Sequence, residues 1–455
     1  MSNIIKIDYS KLLLFDRLDI IIKYLYIESF ENNNNFLLYK KLYKKHILKR
    51  TKGLGKVYDY INNKVEIVEY KNSIEDYFLH FEKLINSFKK NGFDNNHFIP
   101  ISKINNIILD GSHRAACCLY FKINPYVIFE NNKGKKWDYN WFYKNNFSDN
   151  ELNLIINKYL DLKNKNCFAI ILWGSVKKYW DEIEKIIADS YKILMSKNFN
   201  FNLKSFENII NDLYSYEFNV ILPHKIHEKI ELLKNFNYSL RLIFIEVDNY
   251  NFKMIDTKKI CENMYYLKDK IRNTYNNVAK KDKFITIHTS DFPEHSDYIK
   301  RIFLSNNNLK NLEKRKESIY REEFLDWLIE FDKTLKKFNI FKNDVCIVGS
   351  GPLEVLGIRY STDIDFILKE NIRNKLFDDK SKNLSKNIDI VHKNYHKYKN
   401  EISGFSDDEI IDNEKLHFYF RGFKFANLEI IRDRKSLQRR KKDVQDVMLI
   451  DNFLS

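Results

Sequence analysis

Apolar residues recur along the chain at two spacings, one typical of amphipathic helices and the other of buried strands. Residues 73–93 show the helical spacing, with a capping box formed by Ser73 and Asp76 at the start and a glycine at the end. The apolar runs 167–173 and 240–247 are short enough to be buried strands. Because strand and helix patterns alternate through much of the chain, we expect an α/β fold, or an α+β fold in several domains.

The length of 455 residues is enough for about three domains. We place these domains at residues 1–150, 151–312 and 313–455. The first begins with helices, continues with strands around a tight turn, and ends in a polar loop over residues 131–150. A charged helical pattern over residues 307–338 leads into the third domain.

The charge balance favours partners that carry phosphate. Lys and Arg number 77 against 62 Asp and Glu, which gives a net charge of +15, and a basic surface attracts nucleotides, nucleic acid or anionic lipid. A general bias toward Lys in the whole sequence explains the same charge equally well. Glycine is scarce, at 11 residues, which disfavours a glycine-rich dinucleotide loop.

Neither a signal peptide nor a membrane span is predicted. The N-terminus lacks a basic flank and a long apolar core, and no apolar run approaches 18 residues. The five cysteines lack the paired spacing of metal sites, so we expect reduced and mostly buried thiols, with Cys117 and Cys118 in the core. These features fit a cytoplasmic protein best.

Two acids stand one residue apart within an apolar segment of the third domain. Asp363 and Asp365 belong to the strand-like run "TDIDFIL", and alternate residues of a strand point to the same face. Paired carboxylates in an apolar setting repel each other and resist ionisation. A divalent cation removes that cost, and Mg²⁺, or Mn²⁺ in its place, prefers oxygen ligands and substrate phosphates. The pair therefore predicts a metal clamp over a nucleoside triphosphate.

A Gly-Ser turn precedes this pair of acids. Gly349 and Ser350 end the apolar run "DVCIVGS", and such a turn offers backbone N–H groups and a hydroxyl to a phosphate. The turn followed by Asp-x-Asp resembles the DNA polymerase beta-like nucleotidyltransferase superfamily. The segment "GIRYSTDIDF", residues 357–366, and a basic helix with Lys-Asp-x-x-Asp at 442–446 also resemble small bacterial members. The resemblance covers residues 315–455.

The resemblance implies nucleotidyl transfer by attack on the α-phosphorus of an NTP. It implies a third carboxylate on a neighbouring strand, which would share the catalytic and metal-binding role of the aspartate pair. Asp389 in "KNIDIVH" is the first choice, and Glu429 in "ANLEII" is the alternative. Arg359 and Lys442 are the implied contacts to the nucleotide phosphates, together with the Gly-Ser turn.

A second motif lies in the first domain, where "IILDGSHRAACCLYF" predicts a strand, a tight turn and a helix. Gly111, Ser112, His113 and Arg114 gather N–H groups, a hydroxyl, an imidazole and a guanidinium at the start of that helix, a set that suits an anion. The turn resembles that of the ParB/sulfiredoxin superfamily over residues 95–130. The resemblance implies phosphate contact, in a domain that is either phosphate-binding or kinase-like. Sulfiredoxin's catalytic cysteine is absent from this turn, so reductase chemistry is not expected.

Four charged residues lie together on one early helix, namely Asp16, Arg17, Asp19 and Lys23. They are candidates to approach the same anion pocket. The simpler alternative is an exposed charged face of the helix, which is the more common arrangement.

The middle domain offers a less specific candidate site. The sequence "FITIHTSDFPEH" places His288 and Asp291 at the end of a predicted strand, where ligands bind in α/β folds. Lys225 and Arg272 are candidates to add positive charge there. No motif in this domain defines a particular chemistry.

Taken together, these features favour a metal-dependent nucleotidyltransferase. It would move an NMP group from an NTP to a phosphorylated small molecule, and the resemblance to small bacterial members implies a precursor of a surface polysaccharide. An RNA- or tRNA-directed nucleotidyltransferase of the toxin or defence type is an alternative that the basic charge favours. A non-enzymatic nucleotide-binding regulator is another alternative, because the first domain resembles partition proteins.

Overall fold

A computed structural model describes most of the chain, and every structural statement concerns the residues that it describes. These are residues 4–32, 36–61, 64–215, 223–255, 258–275, 283–315, 321–376, 382–391, 405–438 and 440–455. They form two compact units, Met1–Lys165 and Asn166–Ser455. The second unit contains two main sheets, and the division into three domains stays a prediction.

The first unit combines helices with a three-stranded sheet and a separate hairpin. The sheet has the order β1-β5-β4, in which β5 pairs antiparallel with β1 and parallel with β4, and β2 and β3 form the hairpin. The elements are β1 (Ile4–Lys6), α1 (Asp19–Asn32), α2 (Phe36–Thr51), β2 (Gly55–Ile61), β3 (Lys64–Lys71), α3 (Ile74–Asn91), β4 (Ile99–Ser102), α4 (Ser112–Phe121), β5 (Tyr126–Glu130), α5 (Tyr139–Lys144) and α6 (Asp149–Lys163).

Helix α3 forms where the hydrophobic spacing predicts it. Ser73 and Asp76 make the predicted capping box, and Gly92 ends the helix with a φ of 75°. Two other details differ from the sequence prediction. The second strand before the turn at Gly111 is reduced to an isolated bridge between Ile101 and Ile108, and the predicted polar loop 131–150 contains the helix α5.

The second unit begins with a four-stranded sheet of order β11-β6-β8-β7, and every neighbouring pair in it is antiparallel. All seven residues of β6 are buried, which explains its uninterrupted apolar run. The elements are β6 (Cys167–Trp173), α7 (Trp180–Ala188), β7 (Lys192–Asn200), α8 (Leu203–Ser215), α9 (Pro223–Leu233), β8 (Ser239–Glu246), β9 (Phe252–Ile255), β10 (Lys258–Cys261), α10 (Glu262–Tyr275), β11 (Ile287–Thr289) and α11 (Pro293–Leu304).

The antiparallel sheet corrects part of the fold prediction. Alternating strands and helices predict an α/β arrangement, but alternation does not fix strand direction, and this part is α+β. The rule that ligands bind at the carboxyl ends of parallel strands therefore cannot be applied to His288 and Asp291.

The second unit ends with a six-stranded mixed sheet of order β14-β15-β13-β12-β17-β16. The predicted charged helix 307–338 is two helices, α12 and α13. The elements are α12 (Asn306–Lys314), α13 (Glu322–Lys337), β12 (Val345–Ile347), α14 (Gly351–Val355), β13 (Ile364–Leu368), α15 (Glu370–Leu376), β14 (Lys382–Ser385), β15 (Ile388–Ile390), α16 (Asp407–Asp412), β16 (His417–Phe420), β17 (Phe423–Ala426), α17 (Leu428–Gln438) and α18 (Lys441–Leu454).

Aromatic packing joins α13 to this sheet. The fully buried Phe331 has its ring centroid 4.7 Å from that of Phe366 on β13 and 5.3 Å from that of Phe423 on β17. The same sheet carries Asp363 and Asp365, so this packing supports the candidate site. None of the helices in the described ranges is long and apolar enough to cross a membrane.

Replacing Phe331 with Ala should destabilise the second unit by about 3–5 kcal/mol, because the change leaves a cavity among buried rings. Scanning calorimetry should show a fall of several degrees in the midpoint of one transition. Phe341→Ala is the matched control, since Phe341 is 69% exposed and the same atoms are removed there. Equal effects of the two substitutions would contradict this packing.

Candidate active site

Three carboxylates meet on neighbouring strands of the six-stranded sheet. Asp365 lies on β13, Asp363 immediately precedes that strand, and both point away from the buried Ile364 and Phe366. Asp389 on β15 stands directly opposite Asp365 in the parallel register. One oxygen atom from each of the three carboxylates lies within 4.8 Å of the other two. The sheet register therefore brings together acids that are separated in the sequence.

The Gly-Ser turn lies against this cluster. Gly349 has a φ of 63°, and a Cβ atom there would lie 2.2 Å from Oδ2 of Asp365. In addition, the backbone N–H of Val348 donates to the carbonyl of Asp365 at 2.8 Å. Only glycine allows both this backbone conformation and this approach. The close packing explains in physical terms why the sequence combines a glycine here with an acid on the next strand.

Hydrogen bonds fix the segment between the turn and β13. The hydroxyl of Ser350 lies 2.6 Å from that of Ser361, which donates to the carbonyl of Asp363 at 2.7 Å. The buried carboxylate of Glu354 accepts the backbone N–H of Ser361 at 2.5 Å and also pairs with Arg321. These bonds hold the turn and the first acid in one rigid arrangement.

The cluster is electrostatically strained without a cation. Burial, followed by the charge of Asp363, raises the pKa of Asp365 to about 6. Burial and Asp363 also raise the pKa of Asp389. Three close oxygen ligands whose charges oppose one another fit a hard divalent cation such as Mg²⁺. Glu429, the alternative third acid, is exposed near the start of α17 and is not part of this group.

A cavity of about 580 Å³ adjoins the acids and is lined by several cations. Arg434 and Lys435 of α17 line it, and so does Arg440 at the start of α18. Burial lowers the pKa of Arg434 to about 9, with Asp365 as the main opposing charge, so its guanidinium stays charged and faces the acids. The motif resemblance does not point to Arg434, although this residue lies within the visible basic run of residues 432–443.

Arg359 and Lys442, the two side chains predicted to contact phosphate, both line this cavity. Arg359 is paired with an acid, whereas Lys442 is exposed. Arg359 donates from Nε and Nη2 to both oxygens of Asp446, at 2.5 and 2.6 Å, while Lys442 is exposed on α18. Lys435 also reaches Asp446, at 2.7 Å. Burial would raise the pKa of Asp446, but the bonds from Arg359 and Lys435 outweigh it and lower that pKa. Arg359 is therefore engaged in tying α18 to the segment before β13.

The DGSHR turn of the first unit adjoins a different cavity. Gly111 has a φ of 79° and is the N-cap of α4, and Arg114 lines a cavity of about 420 Å³ together with Gly111 and His113. The ring Nε2 of His113 lies 2.7 Å from the hydroxyl of Tyr43. Burial, followed by nearby lysines, holds the pKa of His113 well below its usual value, so the imidazole is neutral. Ser112 is buried at the first position of the helix.

Several charged or polar residues near this turn are buried. Arg17, Asp19 and Lys23 are at most 1% exposed, and the carboxylate of Asp19 accepts from Arg17 at 2.8 Å and from Lys23 at 2.9 Å. An exposed charged face is therefore wrong for these three. Cys117 and Cys118 are fully buried, as the apolar helical pattern predicts.

In the middle of the chain, His288 on β11 lies in a buried polar cluster. Its Nδ1 is 3.4 Å from the hydroxyl of Tyr214, and its buried Nε2 has no hydrogen-bond partner among the described residues. Burial, followed by His295 and Lys229, holds the pKa of His288 well below its usual value. A neutral imidazole faced by cations is suited to an anion. Asp291 is close by, with Lys268 at 3.6 Å from its Oδ1.

The two cations predicted for this cluster differ in position. Arg272 lies beside β11, where its Nη2 donates to the carbonyl of Ile287 at 3.2 Å. Lys225 is exposed on α9, whereas Lys229 of the same helix acts on His288 and lies over the ring of Tyr214. One turn of a helix therefore separates the predicted lysine from the one that faces the histidine.

Comparisons with known proteins add no identification. The chain matches no family model, no curated protein and no solved structure. The resemblances to nucleotidyltransferases and to the ParB/sulfiredoxin superfamily therefore remain expectations from short motifs. The geometry of the acids and cations is therefore the basis for any functional proposal.

The repulsion among the acids should be measurable as a pH-dependent loss of stability. The folded-state pKa of Asp365, about 6, lies above its usual value of 3.8, so its ionisation destabilises the fold as the pH rises through this range. In the presence of a chelator, Asp365→Asn should raise the unfolding free energy by about 1–3 kcal/mol at pH 7.5. The gain should disappear near pH 4.

Thermal denaturation at several pH values measures this difference. Asp326→Asn is the control, because Asp326 is exposed on α13 and the chemical change is the same. A stabilisation by Asp365→Asn that is as large at pH 4 as at pH 7.5 would show that ionisation is not the cause.

Proposed function

We propose that residues 313–455 form a metal-dependent nucleotidyltransferase domain. The proposal rests on the proximity of Asp363, Asp365 and Asp389. One carboxylate oxygen of each lies within 4.8 Å of the other two, beside the turn at Gly349. Carboxylates in this arrangement would hold divalent cations, with Mg²⁺ or Mn²⁺ as the natural choice for oxygen ligands. Bound cations would stabilise the charge that develops on the transferred phosphoryl group and on the leaving pyrophosphate.

The surrounding groups support the binding of a nucleoside triphosphate. The turn at Gly349 and Ser350 offers backbone N–H groups, and the cavity next to the acids is lined by Arg434 and Arg440. The volume of about 580 Å³ is within the range of small-molecule sites. Lys442 is exposed at the same cavity and would contact the phosphates.

The acceptor that suits this site best is a phosphorylated small molecule. Its phosphate oxygen would attack the α-phosphorus of the NTP as the bond to the departing pyrophosphate breaks, which forms a diphosphate bridge. A phosphate monoester is already anionic near neutral pH, so its attack requires no general base. A precursor of a surface polysaccharide, which the motif resemblance implies, belongs to this class of acceptor. Cations lining the cavity would hold both anionic substrates.

Release of pyrophosphate tests this function. The purified full-length chain, given Mg²⁺, the four NTPs and a panel of sugar and polyol phosphates, should release pyrophosphate from at least one combination. The double substitution Asp363→Asn, Asp365→Asn keeps the side-chain shapes and should lower the rate by about 100-fold or more, because the cation ligands are lost. Asp326→Asn should leave the rate unchanged. An active double variant would refute the assignment.

An RNA acceptor is the second candidate, because a net charge of +15 and the basic run near the C-terminus favour a polyanion. The same assay with tRNA in place of the small phosphates distinguishes the two, since nucleotidyl transfer to tRNA would label the RNA. Binding of an NTP without pyrophosphate release from any acceptor would favour the non-enzymatic regulator.

In the first unit, we propose that the turn Gly111–Arg114 contacts a phosphate, in a binding or kinase-like role. The start of α4 supplies backbone N–H groups, and the cavity there is lined by Arg114, Lys56 and Lys71. The neutral imidazole of His113 adds no positive charge of its own. The arginine is therefore the principal donor that the turn contributes to an anion.

Arg114→Ala should weaken the binding of inorganic phosphate, measured by calorimetry in the presence of a chelator, by about tenfold or more. Arg114→Lys should retain part of the affinity, because it keeps the charge but loses the two-pronged geometry. Circular dichroism checks that both variants are folded. Unchanged affinity in Arg114→Ala would refute phosphate contact at this turn.

A further inference from the structure

The first unit contains a second cavity, which neither of the functions proposed above uses. Its volume is about 540 Å³, and nine residues line it, none of which is acidic. It shares no lining residue with the cavity at that turn. Four cations and two tryptophans dominate the lining, namely Lys49, Arg50, Lys133, Lys135, Trp137 and Trp141.

The described residues do not neutralise the four cations of this cavity. Within the part of the chain that the structure describes, none of them forms an ion pair or a hydrogen bond through its side chain. The three lysines are exposed, and Arg50 is partly buried at the end of α2. Unpaired cations around one concave surface produce a positive potential that favours a multiply charged anion.

The arginine is held in position by an aromatic ring. The guanidinium carbon of Arg50 lies 4.5 Å from the ring centroid of Trp137, and that of Arg17 lies 4.4 Å from the same ring. Cation–π contacts of this kind restrain the guanidinium while they leave its N–H groups free to donate in the plane. Arg50 is therefore pre-organised for a phosphate, at a smaller entropic cost than a mobile side chain.

A buried layer beneath the cavity adds to its positive potential. Arg17 and Lys23 share the single carboxylate of Asp19, and Arg17 also donates to the carbonyl of Ile108, a residue of the cavity wall. Two cations against one acid leave a net positive charge. Burial lowers the pKa of Lys23 to about 8, and Arg50 contributes to that lowering, so this lysine still carries a proton at neutral pH for most of the time.

The indole of Trp141 indicates that the ligand has a planar part as well as phosphates, whereas the ring of Trp137 already packs against the guanidinium groups of Arg17 and Arg50. Trp137 and Trp141 are both partly exposed and line the cavity on the side of α5. Stacking of a nucleobase on an aromatic side chain contributes about 1–3 kcal/mol. A cavity of this volume accommodates one nucleotide, whereas a nucleic-acid strand requires an extended groove.

We propose that this cavity binds a nucleoside di- or triphosphate, with its phosphates on Lys49, Arg50, Lys133 and Lys135 and its base against the indole of Trp141. The site lies in the first unit, and the proposal is independent of nucleotidyl transfer by the second. The chain would then carry a nucleotide site that requires no divalent cation, because arginine and lysine side chains neutralise the phosphates directly.

Calorimetry and tryptophan fluorescence on the full-length chain test the proposal. The background variant Arg440→Ala, Lys442→Glu, Arg114→Ala weakens the other two phosphate sites by removing cations that line them, and a chelator removes metals. Each of the four nucleoside triphosphates is titrated separately, with inorganic tripolyphosphate and a single-stranded RNA as further probes. At least one nucleotide should bind, change the fluorescence, and bind about tenfold or more tightly than tripolyphosphate.

Adding Lys133→Glu and Lys135→Glu to this background should weaken that binding by about tenfold or more, because two charged contacts are lost. Lys41→Glu with Lys44→Glu is the matched control, since both lysines are exposed on α2 and line neither cavity of the first unit. The proposal is overturned if no nucleotide binds, if both pairs act equally, if tripolyphosphate binds as tightly, or if RNA binds more tightly with the same sensitivity.

Discussion

The contact between the carboxylate of Asp365 and the backbone at Gly349 is the constraint on which the C-terminal site depends. A side chain at position 349 would collide with that carboxylate at 2.2 Å, and the φ of 63° there also disfavours any residue with a Cβ atom. This contact places a donor-rich turn beside two acids that follow it in the sequence by more than ten residues. The register of β13 against β15 then adds Asp389.

Several basic side chains around the site pair with other acids, which leaves the three clustered carboxylates accessible to a ligand. Two other aspartates, Asp443 and Asp446, are buried and occupy Lys435, Arg440 and Arg359. The Lys-Asp-x-x-Asp pattern therefore fastens α18 to α17 and to the segment before β13. The clustered carboxylates instead face one another, and that repulsion is what a cation would relieve.

The sequence was informative where local chemistry decides the structure. The capping box of α3 follows from residue spacing, the buried cysteines from the apolar run around them, and the strand around Asp389 is what the motif resemblance implies. Strand direction did not follow, since alternating strands and helices fit both parallel and antiparallel sheets, and the sheet around His288 is antiparallel. The sequence also does not show which distant residues contact each other. The burial of Arg17 and the pairing of Arg359 with Asp446 are therefore seen only in the folded structure.

The claim that the three aspartates jointly hold divalent cations is tested most directly by titrating the protein with Mn²⁺ and measuring free Mn²⁺ by electron paramagnetic resonance. The wild-type chain should bind Mn²⁺, and Asp389→Asn should weaken this binding by about tenfold or more, because one of three close ligands is lost. Glu429→Gln should bind as the wild type does. Equal binding by wild type and Asp389→Asn, or no binding by the wild type, would contradict the account.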